Sequence, residues 1–244
     1  MPAETRSITD TVVALTGASA GIGNATARLL VEEGAKVVVG ARRSERLEQL
    51  VQELGAENVA AVTMDVRSPE DNRRLVATAI ERFGRLDSIV PNAGIGLYGG
   101  ITDHDDEHVA EMMETNYAGT VWSVRAAVPH LREAGGGDVV IVSSVAGLRG
   151  GADEAVYAGT KFAQVGLAGS LDRELREHGI RVTAICPAGV HTEFAMGTGR
   201  TEDSPELETY LRPEDVAHAV VTVLRQPRRV RTTLWAMWSM GQGS

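Results

Sequence analysis

A single cysteine, Cys186, stands among 244 residues. It excludes an intrachain disulfide and leaves any metal site to histidines and carboxylates, so a reducing, cytoplasmic setting is expected. Basic charge is also short: 24 Lys and Arg face 33 Asp and Glu, a formal charge of −9. That balance argues against sequence-independent nucleic-acid binding, which needs a basic face to displace counterions from phosphate. A small anionic ligand stays compatible with it. No run approaches the roughly 18 uninterrupted apolar residues of a membrane span, so no membrane partner is expected. Met1 to Asp10 is polar and acidic, without the basic end, apolar core and small-residue cleavage site of a secretory leader, and none is expected. No linker, composition shift, repeat or low-complexity tract divides the chain, and residues 1–244 read as one domain. Lysine is nearly missing: Lys36 and Lys161 are its two instances, against 22 Arg.

What is present is an ordinary globular composition, 43% hydrophobic and 23% charged. Short Val/Ile/Ala runs fall at 12–16, 36–40, 59–64, 86–90, 138–143, 181–186 and 232–238. Between them lie stretches too long for strands, with apolar residues at spacings of three and four: Asn24–Glu33, Ser44–Leu54, Pro69–Phe83, Glu107–Glu133 and Glu154–His178. The apolar runs do not alternate with polar residues, so they are expected to be buried on both faces. Strand, helix, strand alternation then gives a doubly wound α/β parallel sheet of about seven strands. Residues 190–212 break the rhythm and read as a mobile loop beside the ligand crevice, a candidate lid. Arg212-Pro213-Glu214-Asp215 opens a last helix.

The first strand runs into Thr16-Gly17-Ala18-Ser19-Ala20-Gly21-Ile22-Gly23 and then a helix. In that context Gly17 permits the tight turn, Gly21 lets a diphosphate approach the backbone, and Gly23 lets the helix pack on the sheet. A merely structural turn is the blander reading. The second strand ends Gly40-Ala41-Arg42-Arg43, where an NAD-specific site would place an acid for the ribose 2′-hydroxyl. No carboxylate stands there, and Arg42 with Arg43 offers charge to a 2′-phosphate, so NADP(H) is the expected cofactor. An arginine pair opening a helix is otherwise simply solvated.

Tyr157 and Lys161 are four apart in an expected helix, which puts phenol and ammonium on one face. A buried ammonium beside a phenol favours phenolate and is expected to pull the tyrosine pKa down towards the working range of a general acid/base. Thirteen residues earlier Ser144 ends an apolar strand and offers a hydroxyl to a substrate carbonyl. With these residues the sequence resembles the short-chain dehydrogenase/reductase family over essentially its whole length. The motifs, in order, are TGASAGIG from Thr16, Asp65-Val66, Asn92-Ala93-Gly94, Asn116, Ser144 and YAGTK from Tyr157.

The resemblance implies a Rossmann-type fold and a hydride transfer between nicotinamide and a carbonyl or alcohol carbon. It implies Tyr157 as general acid/base, Ser144 holding the carbonyl oxygen, and Lys161 on the nicotinamide ribose. Asn116 would hold a water in a proton relay. Gly17, Ser19, Gly21, Ile22 and Gly23 would line the diphosphate. Asp65 and Val66 would contact adenine, Asn92, Ala93 and Gly94 the adenosine side, and Val190 with Thr192 the carboxamide. A homotetramer or homodimer built on the two long helices is implied as well. Two departures stand out: Pro91 where the family has Asn, and Pro187-Ala188 where it has Pro-Gly.

The alternatives are a 3-oxoacyl-[acyl-carrier-protein] reductase and a dinucleotide-binding protein without turnover; an epimerase or lyase would need a substrate subdomain for which there is no room. The expected substrate is a small to medium carbonyl compound with an apolar portion, walled by Val145, Phe194 and Met196, with Trp235 and Trp238 as packing or wall. Arg149 is the one charged candidate, to clamp a carboxylate or to be solvated. Asp103-His104-Asp105-Asp106-Glu107-His108 reads as a helix start rather than a metal site. Arg225 to Arg231 reads as a solvated loop, and Met112, Met113 and Trp122 as packing residues.

Overall fold

The apolar runs become the strands of one parallel sheet: β1 (Val12–Thr16), β2 (Lys36–Ala41), β3 (Val59–Thr63), β4 (Ser88–Val90), β5 (Gly137–Val142), β6 (Ile180–Pro187) and β7 (Leu234–Met237). Their spatial order is β3-β2-β1-β4-β5-β6-β7. The computed structural model describes residues 5–201 and 203–243; residues 1–4 of the expected leaderless start, residue 202 of the expected lid and residue 244 lie outside the described residues.

Every residue of β1 is buried, and its side chains feed two separate cores by alternation. Val13 and Leu15 join the layer formed by α1 (Gly21–Glu32), α2 (Ser44–Leu54) and α7 (Pro213–Leu224); Val12 and Ala14 join the layer of α3 (Pro69–Phe83), α5 (Gly119–Glu133) and α6 (Ala155–Leu175). Burial on both faces is why these strands lack polar alternation. The order reverses between β1 and β4, and the crevice beyond their carboxyl ends is where such sheets bind ligands.

Local chemistry sets the helix ends. Ser68 caps α3 by accepting from the Asp71 N–H at 3.2 Å, and Pro69 occupies the first helical position. Asp105 caps α4 (Asp106–Met113), accepting from His108 N at 2.8 Å and lying 2.7 Å from His108 Nδ1, while His104 Nε2 lies 3.2 Å from the Tyr98 carbonyl.

The expected continuous helix Glu107–Glu133 is interrupted. A π turn over Glu114–Ala118 separates α4 from α5 and contains Asn116. The carbonyl of Asn116 accepts from Thr120 Oγ1 and from Gln164 Nε2 of α6, each at 2.7 Å, so a neighbouring helix uses an acceptor at the wide turn.

The basic stretch after α7 is another correction. Arg225 pairs with Glu33, Arg228 with Asp138 and Arg231 with Asp172, rather than lying solvated. Asp138, buried at the start of β5, also takes Arg181 from the adjacent position of β6 at 2.6 Å and Arg6 at 3.2 Å. Three guanidiniums around one carboxylate close the amino end of the sheet. Among the described residues no helix is long and apolar enough to cross a membrane.

Candidate active site

A cleft of about 890 Å³ opens over the carboxyl ends of β1 and β4. The glycine turn forms its floor. Gly17 has φ +71°, and a Cβ there would lie 2.8 Å from Ala93 Cα; Gly21 has φ +52° and faces Thr192. Gly23 packs so tightly that a Cβ would meet the Gly17 carbonyl at 2.3 Å. Ala20 supplies no side-chain cap to α1, whose first N–H groups are left for an anion. An uncapped helix start, two left-handed glycines and nearby arginines fit a dinucleotide diphosphate.

Asn92, Ala93 and Gly94 follow β4 and line the cleft. Asn92 acts first on the turn itself: its Nδ2 donates to the carbonyls of Thr16 and Gly17 at 3.0 and 3.3 Å. Thr16 Oγ1 accepts from both Asn92 N and Ala93 N at 3.1 Å. Pro91 does not disturb this junction, since its carbonyl accepts from Val142 N at 3.0 Å. Nor does Ala188 break the backbone after β6; its N–H donates to Met237 O at 2.9 Å.

At the end of β2 the arginines are already engaged. Arg42 pairs with Glu111 at 3.1 Å, and Arg43 donates to Ser19 Oγ and to Glu193, whose carboxylate also takes Arg46. Hydrogen bonds from Arg43 and Arg46 hold the Glu193 carboxyl below its usual range. Asp65, after β3, is clamped by Arg67 in the same way, and its carboxyl is likewise held low. Val66 packs beneath Gly119, where a Cβ would meet it at 2.8 Å.

Ser144, Tyr157 and Lys161 converge on the opposite side of the cleft. Ser144 caps a single 3-10 turn, accepting from Ala146 N at 3.1 Å and donating to Pro187 O at 3.4 Å. Tyr157 and Lys161 share one face of α6, with Lys161 Nζ 5.7 Å from the phenol ring centre. Lys161 donates to Gln164 Oε1 at 3.1 Å and to Val142 O at 3.4 Å, and burial pulls its pKa down to about 8. Burial also pushes the Tyr157 phenol well above its ordinary range. The expected lowering by Lys161 is therefore absent here; the groups easing the proton off are the Ser144 hydroxyl and the charge of Arg200. A desolvated phenolate costs more than an ammonium on the ring's flank returns.

Asn116 is fully buried, and its side chain ties the loop after β4 to α6. Oδ1 accepts from Ile95 N at 2.8 Å, while Nδ2 donates to Ile95 O at 2.9 Å and Thr160 Oγ1 at 3.1 Å. Its hydrogen-bonded link to Lys161 runs through Gln164, which donates to the Asn116 carbonyl and accepts from the lysine. Gln164 was visible as an i, i+3 neighbour of Lys161 but carries no motif.

Residues of the 190–212 stretch cover the cleft. Val190 pairs with Leu211 across the base of this segment, a 3-10 turn spans Pro205–Thr209, and Thr198 bonds to the 96–98 loop through Tyr98 N and Gly96 O. Thr192 Oγ1 accepts from Phe194 N at 3.2 Å. Phe194 and Tyr98 flank the Tyr157 ring at 5.8 and 5.5 Å between centroids. Val145, Met196 and Trp238 line the cleft, whereas Trp235 packs on the core. Arg149 lies exposed at the rim. Tyr98, Arg46, Glu193 and Arg200 belong to no sequence motif and emerge only from the folded geometry.

The family model described as short chain dehydrogenase matches residues 11–203. An uncharacterized oxidoreductase of Staphylococcus aureus (strain USA300) is 35% identical over 223 residues, covering 91% of this chain and 94% of that protein. Among solved structures, the closed form of a serine dehydrogenase complexed with NADP+ superposes with a TM-score of 0.89 at 31% identity, covering 96% of this chain and 97% of that one. An alcohol dehydrogenase from the archaeon Thermococcus sibiricus, complexed with 5-hydroxy-NADP, superposes at 0.87 with 31% identity, covering 96% and 98%. The seven-stranded parallel sheet, the glycine turn and these similarities agree: the chain belongs to the short-chain dehydrogenase family and is an oxidoreductase.

Proposed function

We propose that the protein is an NADP(H)-dependent oxidoreductase that interconverts a carbonyl compound and its alcohol, with Tyr157 as the general acid/base. One observation carries this reading: Ser144, Tyr157 and Lys161 face the same cleft as the glycine turn and the uncapped start of α1. The bound cofactor supplies or accepts the hydride at the nicotinamide C4. The protein's own residues do the rest. The Ser144 hydroxyl orients the substrate oxygen, and Tyr157 Oη gives that oxygen a proton in reduction or takes it in oxidation. Lys161, held by Gln164, offers its ammonium to the ribose hydroxyls, and Asn116 keeps the segment from Gly94 to Ile95 against α6 for the proton path that begins at Lys161.

Gly17, Ser19, Gly21, Ile22 and Gly23 cradle the diphosphate; Asp65, Val66, Asn92, Ala93 and Gly94 border the adenosine, and Val190 and Thr192 the carboxamide. NADP(H) is favoured over NAD(H) because Ala41 brings no acid and Arg42, Arg43 and Arg46 bring charge to the end of β2. The NADP-type ligands of the two structural neighbours described above accord with this, while a 3-ketoacyl-(acyl-carrier-protein) reductase from Brucella melitensis of similar fold is complexed with NADH. The 190–212 segment acts as the lid. Exposed Met113 at the end of α4, Tyr117 on the π turn and Phe162 on α6 support pairing with further copies of the chain as a homodimer or homotetramer. One buried cysteine accords with a reducing cytoplasm.

The test pairs a binding titration of NADPH against NADH with NADPH consumption across aldehydes, ketones, oxo acids and 3-oxoacyl thioesters. Tighter NADPH binding and turnover of a small carbonyl compound are expected. Equal affinity for NADH removes the cofactor assignment, turnover confined to the thioesters makes the protein an acyl reductase, and binding without turnover of any class makes it a dinucleotide sensor.

A further inference from the structure

Arg200 is held in the cleft by aromatic rings, and among the described residues no acid pairs with it. Its Cζ lies 5.2 Å from the Tyr210 ring centre and 5.8 Å from those of Tyr98 and Phe194. Nη1 donates to Val190 O at 3.2 Å, and the backbone N–H to Ala195 O at 3.0 Å. The other cleft arginines behave differently: Arg42 and Arg43 carry carboxylate partners, and Arg149 is exposed. Arg200 is partly buried and has no carboxylate partner among the described residues. Ring faces, the Val190 carbonyl and the Tyr98 hydroxyl fix the guanidinium but leave the remainder of its five N–H donors unused. A partly buried guanidinium with donors to spare is chemically suited to an anion.

Its position relative to the chemistry is set by shared neighbours. Tyr98 and Phe194 touch the Tyr157 ring as well as Arg200, so the guanidinium lies across two rings from the phenol. The charge of Arg200 is felt at Tyr157, where it opposes the effect of burial. Leu97, Val145 and Phe194 give the same cleft an apolar lining.

We propose that Arg200 is a specificity-determining residue that binds the carboxylate of the substrate, making short-chain hydroxy acids and the matching oxo acids the preferred substrate class. This rests on the oxidoreductase reading above and refines its substrate. In the oxidation, the carbinol C–H leaves as hydride with both electrons to NADP+, the O–H proton goes to Tyr157, and the oxo acid forms while the carboxylate stays on Arg200. The aromatic cage sets the guanidinium in place before the substrate arrives, which lowers the entropy lost on binding.

The test compares C3 to C5 hydroxy acids with their methyl esters, which keep the chain and remove the charge, in NADP+ reduction. The unaltered protein is expected to favour acid over ester by about tenfold or more in kcat/KM, the worth of a charge-assisted pair. In Arg200→Met that ratio should collapse towards one, mainly through KM for the acid; Arg200→Lys, which keeps a charge, should restore part of it. A second readout does not need turnover: Trp238 lines the cleft, so its fluorescence follows binding of butyrate against butyramide. Butyrate should bind the unaltered protein more tightly than butyramide, and lose that advantage in Arg200→Met. Equal use of acid and ester, or a butyrate preference that survives in Arg200→Met, overturns the proposal. If butyrate binding behaves as expected but no acid, ester or neutral ketone is turned over, the oxidoreductase reading has failed and the anion site stands. Turnover of neutral ketones without any preference for acids means the reverse.

Discussion

Glu193 Oε2 lies 2.9 Å from Arg43 Nη1, so a carboxylate from the covering segment occupies the guanidinium that the proposed NADP(H) site would offer to a ribose 2′-phosphate. Both side chains are about half exposed, and such pairs contribute up to about 1 kcal/mol. Glu193→Gln should therefore tighten NADPH binding by a few-fold, up to about fivefold, and change NADH binding less. A fluorescence titration of each cofactor checks this. Looser NADPH binding in the variant would show that Glu193 supports the site rather than competing for it.

Tyr157→Phe removes the hydroxyl and keeps the ring that packs between Tyr98 and Phe194. Turnover should fall by about a hundredfold or more while NADPH affinity stays within about twofold. Steady-state kinetics beside the binding titration separate the two effects. A variant that keeps most of its rate has its proton coming from another group.

Lys161 is buried and its pKa is drawn from 10.5 down to about 8. The unfolded chain therefore holds more protons than the folded one between those values, and the folded state gains stability as pH rises through that window. Lys161→Met, which removes the buried charge, should be more resistant to urea than the unaltered protein at pH 7, with the advantage shrinking by pH 10. An advantage that grows with pH would reverse the sign of this argument. The same variant should lose both turnover and cofactor affinity.

Much of this was legible in the chain. Continuous Val and Ala runs gave the strands, because burial on both faces leaves no polar alternation to disguise them, and the Gly17 to Gly23 turn announced itself by its place between a strand and a helix. The π turn at Asn116 was not legible, since one wide turn shifts the apolar spacing by a single residue and Gln164, which donates to the Asn116 carbonyl, is 48 residues away. The arginine partners were hidden for a similar reason: Glu193 is 150 residues from Arg43, and Arg200 finds Tyr98 and Tyr210 only after the cleft has formed. The effect of Lys161 on Tyr157 was anticipated with the wrong balance, because helical spacing reports proximity and says nothing of how deeply the phenol is buried.

Asp138 anchors Arg6, Arg181 and Arg228 at the amino end of the sheet, far from the cleft. Asp138→Asn leaves the buried Arg181 without its counter-charge and should cost about 3 kcal/mol of stability. Urea unfolding measures it. Cofactor affinity of the fraction that stays folded should not change, and a loss below about 0.5 kcal/mol would mean that water or backbone carbonyls satisfy the arginines on their own.

The most direct measurement follows the hydride itself. NADPH carrying deuterium at the transferable C4 position is mixed with a carbonyl substrate identified in the panel, and the alcohol product is examined by mass spectrometry and NMR. The account predicts one deuterium per turnover on the carbinol carbon. An alcohol that forms without the label on that carbon, or label that appears only in water, would contradict it.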